Sequence, residues 1–378
     1  MTAGAAAAGP AAESDGSEPA AVPVSVAAAL GAASPADRSF TRLTHSQLSL
    51  RTGGVWRVTG PAGSAVLKRC GPGGAGTGTS AADPWHWSYG PREALAYRDG
   101  LASTAYAAAG IDCPRLLTCE EHSGGSFDLW LEDVSGLTGA RWPVHRLAAF
   151  GHALGVAQAP WTERLPDRPW LSRRWLRQYV EGKAPTGPVP WDHPTAVAVW
   201  PEALRGALRR MWEQRDRLLS AAESGPRTLC HLDVWPLNLI AADGAAGPAR
   251  TVLLDWAFVG EGGVGEDIAN LIPDCVADGL MPTEQLAEIS EAVTAGYLAG
   301  LRDAGRRTDE DDLRRRVAAA GAAKYTWLAP LMLARLASGT GVGSPSYDVG
   351  GDDSTVMRRR IGLFEHLTAW AATVLDRS

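Results

Sequence analysis

The sequence predicts an α+β fold made of two lobes, a small β-rich N-lobe and a larger, mainly helical C-lobe. In the first third of the chain, short stretches alternate between apolar and polar residues at the two-residue period of β-strands. After Asp133 the apolar residues recur at the 3.6-residue period of helices. One β-like stretch, 228–254, interrupts this helical part. We therefore expect a tail at 1–38, an N-lobe at 39–134 and a C-lobe at 135–378.

The tail is expected to be disordered because of its composition. Residues 1–37 are rich in Ala, Gly, Pro and Ser and contain no aromatic residue. Such a segment buries too little apolar surface to offset the entropy lost on folding. A short helix over residues 26–30 would be marginal by itself.

The N-lobe is predicted to contain five strands and one helix. The strands are expected at 46–50, 55–59, 64–69, 115–118 and 127–131. The helix follows Pro91, which suits a first helical turn. Residues 71–90 are rich in Gly, Pro and Ser and predict a flexible insertion. The pair Gly53-Gly54 predicts a hairpin turn, although a full G-x-G-x-x-G is missing at this position.

Four apolar stripes predict the main helices of the C-lobe. They are Leu147, Phe150, Leu154 and Ala157; Leu204, Leu208, Met211 and Trp212; Leu286, Ile289, Val293 and Tyr297; and Ile361, Phe364, Leu367, Ala371 and Val374. Six of the 15 tryptophans lie between residues 142 and 200. Most of these are expected to pack in the core, and a subset to line a binding pocket.

Composition excludes several classes of function. With 36 basic and 42 acidic residues the formal charge is −6, which does not favour a nucleic-acid partner. An apolar run of about twenty residues is missing, so no membrane span is expected. Five scattered cysteines without a C-x-x-C pair argue against a disulfide framework or structural zinc, and no basic start precedes an apolar stretch. We therefore expect a cytoplasmic protein.

The polar residues with chemical potential are concentrated in the β-like interruption. Asp233 and Asn238 lie in one loop, five residues apart, and Asp255 ends the next apolar strand. Residues at such loop and strand ends can converge on one point. Carboxylate and amide oxygens are the ligands that Mg²⁺ takes in proteins, together with water and phosphate.

The pattern H-x-D-x(4)-N, followed by an apolar strand and D-W, resembles the aminoglycoside phosphotransferase and choline kinase superfamily, whose fold is similar to that of protein kinases. Further similar elements are Ala65-Val66-Leu67-Lys68, Arg92-Glu93-Ala94, Leu129-Trp130-Leu131-Glu132-Asp133 and Gly263 to Ala269. Together these elements span residues 46–270 in the order of the family. The resemblance implies an ATP- and Mg²⁺-dependent transfer of the γ-phosphate to a hydroxyl of a small molecule.

The resemblance also implies roles in the C-lobe. Asp233 would accept the proton of the attacking hydroxyl, while Asn238 and Asp255 would hold Mg²⁺ across the phosphates. His231 would be an architectural residue and not a base. Asp267, at a helix start, would brace the catalytic loop.

In the N-lobe, the resemblance implies a nucleotide site. Lys68 would pair with the α- and β-phosphates, and Glu93 would hold Lys68 as an ion pair. Glu132 and Val134, at the hinge between the lobes, are expected to contact the nucleotide.

Several alternatives remain open or are disfavoured. The G-x-G-x-x-G at 71–76 does not run into a helix, so a dinucleotide site is not expected. Three alternatives remain. The phosphate acceptor could be a peptide Ser or Thr, it could be another biosynthetic intermediate, or the protein could be a pseudokinase without turnover. Arg173, Arg174 and Arg177 argue against a polycationic acceptor and favour a less highly charged hydroxylated molecule. The choice of ATP or GTP and the oligomeric state stay open.

Overall fold

A computed structural model describes residues 21–43, 52–71, 83–242, 250–343 and 352–376. It has a small β-sheet lobe followed by a larger helical part, which confirms the predicted α+β architecture. The predicted strand at 46–50, the start of the tail at 1–20 and most of the G-x-G-x-x-G at 71–76 lie outside the described residues.

Within the described residues the strands form three sheets. They are β1 (Ser39–Arg42), β2 (Thr52–Gly60), β3 (Gly63–Cys70), β4 (Ile111–Asp112), β5 (Leu116–Glu121), β6 (Phe127–Glu132), β7 (Gly136–Thr138), β8 (Arg227–Cys230), β9 (Leu239–Ala242), β10 (Arg250–Leu253) and β11 (Gly260–Gly263). The N-lobe sheet is antiparallel with the order β1-β2-β3-β6-β5. Gly53 and Gly54 lie within β2, where its register with β3 shifts, so the predicted turn at this pair is wrong.

Most of the remaining chain is helical. The helices are α1 (Val24–Ala29), α2 (Arg92–Arg98), α3 (Leu101–Thr104), α4 (Val144–Gln158), α5 (Trp175–Lys183), α6 (Pro194–Val199), α7 (Glu202–Glu213), α8 (Arg215–Glu223), α9 (Glu266–Ala277), α10 (Leu286–Asp303), α11 (Glu310–Lys324), α12 (Leu328–Ser338), α13 (Asp353–Arg359) and α14 (Ile361–Leu375). The four predicted stripes fall in α4, α7, α10 and α14. Within the described ranges, none of the helices combines the length and the apolar character needed to cross a membrane.

The N-terminal helix α1 covers one face of the N-lobe sheet. Val26 and Leu30 are 1% and 2% exposed and pack in one cluster with Trp56, Leu67 and Trp130. Burying two such side chains contributes about 3–6 kcal/mol toward the cost of ordering this short helix. The predicted disordered tail is therefore wrong for residues 21–38, because these few apolar side chains find a sheet face to cover.

Successive side chains of β3 point to opposite faces of the sheet, so the two faces make different contacts. Leu67 belongs to the cluster under α1, whereas Val66, Lys68 and Cys70 face the opposite side. We call this opposite side the inner face of the sheet. The alternation directs the Lys68 ammonium toward the rest of the molecule.

The segment 83–90, within the predicted flexible insertion, is folded. It consists of turns, and the backbone N of Trp87 donates to Oε1 of Gln178 on α5 at 2.8 Å. The ring of Trp87 also stacks on that of Phe258. The prediction of flexibility is wrong for this part, because three aromatic side chains within a Gly- and Pro-containing stretch can anchor it to the C-lobe.

Two small sheets position the loops of the C-lobe. One has the order β4-β10-β9-β7, with only β10 and β4 parallel, and the other pairs β11 with β8 antiparallel. The loop from His231 to Asn238 joins β8 of one sheet to β9 of the other, and Asp255 lies just after β10. This arrangement brings the loop that ends at Asn238 and the segment that carries Asp255 to the same edge of the sheet that contains β9 and β10.

Helices α4 and α10 pack with their backbones in direct approach. A Cβ placed on Gly300 would lie 2.0 Å from the carbonyl O of His152, and one on Gly155 would lie 2.4 Å from that of Tyr297. Only glycine permits this separation, since any Cβ would overlap the facing helix. The pair makes the most extensive contact between two helices in the described part of the chain.

Candidate active site

Lys68 is the centre of a group of charges on the inner face of the N-lobe sheet. Its Nζ lies 2.6 Å from Oε2 of Glu93 and 2.8 Å from Oδ1 of Asp255. Glu93 comes from α2, and Asp255 follows β10 with a φ of 62° that turns the chain out of the strand. Three segments that are distant in sequence thus bring together three of the predicted residues.

The charges of this group influence one another. Burial opposes the charge of Lys68, but the carboxylates of Asp255 and Glu93 outweigh it and raise the pKa of Lys68. Burial raises the pKa of Glu93 to about 7, although Lys68 acts in the opposite direction. At Asp255 burial is outweighed by the attraction of Lys68, which lowers the pKa of this carboxyl. Lys68 and Asp255 are therefore charged at neutral pH, and Glu93 is the first of the three to lose its charge on acidification.

Asp233 and Asn238 form a second group in the loop after β8. Nδ2 of Asn238 donates to the backbone O of Asp233 at 2.9 Å and to its Oδ2 at 3.0 Å. Asn238 is buried and Asp233 half-buried. Because the amide nitrogen is engaged in this way, the amide Oδ1 is the atom of Asn238 that remains to face a cation.

The carboxyl of Asp233 has an environment that suits proton transfer. Burial raises its pKa to about 7, and the negative charge of Asp255 acts in the same direction. The opposing charges of Lys324 and Asp274 also act on it. A carboxyl with a pKa near the working pH is well suited to accept a proton from a hydroxyl.

Asn238 and Asp255 fit the chemistry of a magnesium site. A backbone hydrogen bond of 2.8 Å from Leu254 N to Asn238 O fixes their two segments side by side. In the described ranges, no group of three or more His, Cys, Asp or Glu side chains is placed to hold a metal alone. Mg²⁺ takes one or two protein oxygens and fills the rest of its shell with phosphate and water, so one amide oxygen and one carboxylate suit it.

Asp267 at the start of α9 holds the loop that carries Asp233. Its Oδ2 accepts the backbone N–H of His231 at 2.8 Å, and its Oδ1 accepts that of Leu232 at 2.7 Å. Leu232 has a φ of 68°, an uncommon conformation for a branched residue, and the bond to Asp267 offsets its cost. Burial raises the pKa of Asp267 to about 7 against the effect of these backbone bonds.

His231 is fully buried beside the same loop. Its Nδ1 accepts the backbone N–H of Asp233 at 3.3 Å, and its ring meets that of Trp256 edge to face at 5.0 Å. Burial lowers the pKa of His231 to about 4, so the ring is neutral at physiological pH. The contact to the Asp233 backbone agrees with an architectural role, which stays a prediction.

A buried polar network behind Asp267 was not predicted from the sequence. Nε2 of Gln158 donates to Oδ2 of Asp267 at 2.7 Å, and Oε1 of Gln158 accepts the hydroxyl of Tyr297 at 2.6 Å. The Tyr297 hydroxyl in turn accepts the N–H of Gly265 at 3.2 Å. Both Gln158 and Tyr297 are fully buried. Tyr297 belongs to a predicted apolar stripe, and Gln158 directly follows another. A polar group in or next to an apolar helical stripe is the sequence signal that could have indicated this network.

Arg92 is a second residue that sequence reasoning missed. Its guanidinium is fully buried and donates to the backbone carbonyls of Pro84, His86, Trp87, Trp170 and Ala257 at 2.7–3.2 Å. Guanidinium suits this position because its five N–H groups form a rigid fork. The side chain therefore ties the 83–90 segment and the loop after Asp255 to the helix that carries Glu93.

The two predicted hinge residues lie at the end of β6 and just after it. Glu132 accepts the backbone N–H of Arg115 at 3.0 Å and the guanidinium of Arg250 at 2.8 Å. Val134 follows β6 and is half-buried. Their contact with a nucleotide stays a prediction.

The model of a phosphotransferase enzyme family matches residues 49–314. No curated protein matches the sequence.

Solved structures of low sequence identity are similar to the chain. An amicoumacin kinase in complex with AMP-PNP and Ca²⁺ has a TM-score of 0.55 at 14% identity, covering 89% of this chain and 89% of that chain. A microcompartment-associated aminopropanol kinase has a TM-score of 0.51 at 15% identity, with 90% and 93% covered. A choline kinase from Cryptosporidium parvum Iowa II has a TM-score of 0.50 at 11% identity, with 91% and 92% covered. At such identities the likeness is one of fold.

Proposed function

Since this chain belongs to the phosphotransferase enzyme family, we propose that it transfers the γ-phosphate of ATP, with Mg²⁺, to a hydroxyl of a small molecule. The family match confirms the predicted resemblance, and the similar kinases confirm the two-lobed, kinase-like fold class. That the chain is a phosphotransferase follows from the family, and the small-molecule acceptor is part of the proposal. The nucleotide, the metal and the residue roles are the proposal.

The arrangement around Lys68 is the single observation that carries this proposal. Its ammonium lies between Glu93 and Asp255, while Asp233 and Asn238 lie on the adjoining loop. A cation held in this way suits the α- and β-phosphates of a nucleotide, because phosphoryl transfer depends chiefly on positioning and charge neutralisation. The similar amicoumacin kinase was solved with the ATP analogue AMP-PNP, which supports ATP as the donor.

In the proposed reaction the acceptor oxygen forms a bond to the γ-phosphorus, and the bond from that phosphorus to the bridging oxygen breaks. ADP leaves with the electrons of the broken bond, and the hydroxyl proton passes to the carboxylate of Asp233. When bound, Mg²⁺ would neutralise the phosphate charge that develops. Asn238 and Asp255 would hold it, Lys68 would orient the phosphates, and Asp267 would keep the Asp233 loop in place.

The proposal is tested by replacing the base without changing its size. We expect Asp233→Asn to lower kcat by about 10²–10⁴-fold, because the proton acceptor is lost. Its affinity for Mg·ATP, measured by isothermal titration, should stay within about threefold of the parent, since binding rests on other residues. Transfer is measured as ADP release and as phosphate mass gained by metabolites of a small-molecule extract.

A matched carboxylate elsewhere provides the control. Asp216 is an exposed acid on α8 that faces Arg177 at 3.6 Å, so Asp216→Asn should keep full activity. Near-normal transfer by Asp233→Asn would refute its assignment as the base. Binding of Mg·ATP without transfer to any small molecule would instead indicate a protein that only binds nucleotide.

A further inference from the structure

Gln158, the last residue of α4, makes hydrogen bonds with both ends of its buried amide. Its Nε2 donates to Oδ2 of Asp267 at 2.7 Å and to the hydroxyl O of Tyr106 at 3.4 Å. Its Oε1 accepts the hydroxyl of Tyr297 at 2.6 Å, and its backbone O accepts that of Thr228 at 2.8 Å. The residue therefore connects α4 with α9, α10 and β8 in the interior of the C-lobe.

The partners of Gln158 determine which end of its amide carries the donor. The hydroxyl of Tyr106 donates to the backbone O of Leu229 at 2.9 Å, so toward Gln158 it can only accept. The hydroxyl of Tyr297 accepts a backbone N–H just before α9 at 3.2 Å, which leaves its proton for Oε1 of Gln158. The amide NH₂ must therefore point to the side on which Tyr106 and the carboxylate of Asp267 lie.

This donor restricts the carboxylate of Asp267. Oδ2 accepts from Gln158 and from the backbone N–H of His231, while Oδ1 accepts the N–H of Leu232 at 2.7 Å. Because each oxygen has its own donors, the carboxylate cannot rotate without breaking one of these bonds. Leu232 has a φ of 68° and needs its bond to keep that conformation. Asp233 is the next residue of the loop, so its position follows from the orientation of Asp267.

We propose that Gln158 is a positioning residue for phosphoryl transfer, which acts through Asp267 on the place of the Asp233 carboxyl. It determines the turnover rate and not the affinity for Mg·ATP, because Lys68 is held by a separate group of ion pairs. Misplacement of a reacting group by about 1 Å can lower a rate by about 100-fold. This inference rests on the proposed function, since it adds a residue to the same reaction.

Gln158→Glu tests the donor with almost no change of shape. When protonated, the introduced carboxyl can donate to Asp267 and accept from Tyr297, as the amide does. When ionised, it has no proton to donate, and its charge faces that of Asp267. The hydroxyl of Tyr106 and the thiol of Cys230 also face this position. Burial raises the pKa of both groups, so they stay uncharged near neutral pH.

The expected result for Gln158→Glu is a recovery of turnover at acidic pH. Burial and the neighbouring carboxylate raise the pKa of the introduced carboxyl, so it holds its proton in mildly acidic solution. Turnover relative to the parent should be within about threefold at about pH 6 and about 10–100-fold lower at about pH 8.5. KM for Mg·ATP should stay within about twofold of the parent at both.

Turnover is measured as ADP release at saturating Mg·ATP, with a fixed amount of a nucleotide-depleted extract of small molecules as acceptor. Dividing by the rate of the parent at the same pH removes the pH dependence that both proteins share. Urea unfolding at each pH gives the folded fraction, so that rates are compared per folded molecule. Gln285→Glu, at an exposed position just before α10, is the matched control and should equal the parent throughout.

Tyr297→Phe is a second test that adds no charge to the core. It removes the hydroxyl that orients the amide of Gln158, so turnover per folded molecule should fall by about threefold to tenfold. KM for Mg·ATP should again stay within about twofold of the parent. This variant decides the matter by the same criteria if Gln158→Glu does not fold.

The outcomes separate this inference from the proposed function. If the parent transfers phosphate but the relative turnover of Gln158→Glu does not change with pH, the inference is wrong and the phosphotransferase assignment stands. The same holds if both variants lose stability but keep the parent's turnover per folded molecule, or if KM for Mg·ATP rises as much as turnover falls. If the parent releases no ADP with the extract, the proposed function fails, and this inference with it.

Discussion

The two groups that form the candidate active site are held in different ways. The Asp233 loop is fixed by Asp267, whose carboxylate receives two backbone N–H groups and is backed by Gln158 in a fully buried network. The group around Lys68 is instead held by ion pairs, and its Asp255 remains about one third exposed.

This difference separates a fixed part of the site from an exchangeable one. Backbone hydrogen bonds in a buried network have no competitor once the chain has folded. The contact between Lys68 and Asp255 does have one, because phosphates attract Lys68 and a divalent cation attracts Asp255. We therefore expect substitutions near Asp267 to affect folding, and substitutions near Lys68 to affect ligand binding.

The largest expected effect comes from a substitution that changes only the exchangeable part of the site. Asp255→Asn removes a carboxylate ligand of the proposed Mg²⁺, so kcat/KM should fall by about 10³-fold, equivalent to ~4 kcal/mol. The free energy of unfolding should change by about 1 kcal/mol or less, because Glu93 still pairs with Lys68. Transfer assays and urea unfolding measure the two quantities. A loss of stability larger than that of Asp267→Asn would contradict the distinction.

A smaller effect is expected from the fixed part. Asp267→Asn keeps the shape but places an NH₂ group against N–H donors, so the free energy of unfolding should fall by about 1–3 kcal/mol. Asp216→Asn, an exposed acid paired only with Arg177, should change it by no more than about 0.5 kcal/mol. Urea unfolding of both variants provides the comparison. Equal stability of Asp267→Asn and the parent would show that the network does not hold the fold.

The smallest expected effect, counted per pH unit, is the pH dependence of the stability difference between the parent and Asp267→Asn. The pKa of Asp267 is raised by burial from its ordinary 3.8 to about 7, so the folded state binds its proton more tightly than the unfolded state. Its contribution to stability is complete below the ordinary pKa and is lost as pH rises through about 7.

The stability advantage of the parent over Asp267→Asn should therefore shrink between about pH 4 and pH 7, by at most ~1.4 kcal/mol per pH unit. Urea unfolding of both proteins across this range measures it. An advantage that grows with pH would mean that the backbone N–H groups, and not burial, control this carboxyl.

The parts of the site that the sequence predicted are those with a local pattern. Asp233, Asn238 and Asp255 were found from their spacing and from the strand that separates them, and the structure brings them to one edge. Lys68 and Glu93 were predicted from the short motifs Ala65 to Lys68 and Arg92 to Ala94, which resemble elements of the family. Both kinds of pattern follow from elements whose geometry depends on neighbouring residues in the chain.

The parts that were missed depend on partners far away in sequence. Gln158 and Arg92 are polar residues whose roles can be inferred only when their hydrogen-bond acceptors, which lie on other segments, are known. The folded 83–90 segment and α1 were misjudged for the same reason, since composition describes a segment by itself and not the surface that it covers. Roles at Glu132 and Val134, and the cytoplasmic location, remain predictions.

The close approach of α4 and α10 has a consequence for engineering. Gln158 ends α4, Tyr297 lies on α10, and glycines such as Gly155 and Gly300 let the two backbones touch. A chimaera that takes one of these helices from a related protein would bring side chains into a space that holds none. Donor helices should therefore be transplanted as a pair, together with the Gln158–Tyr297 hydrogen bond that they carry.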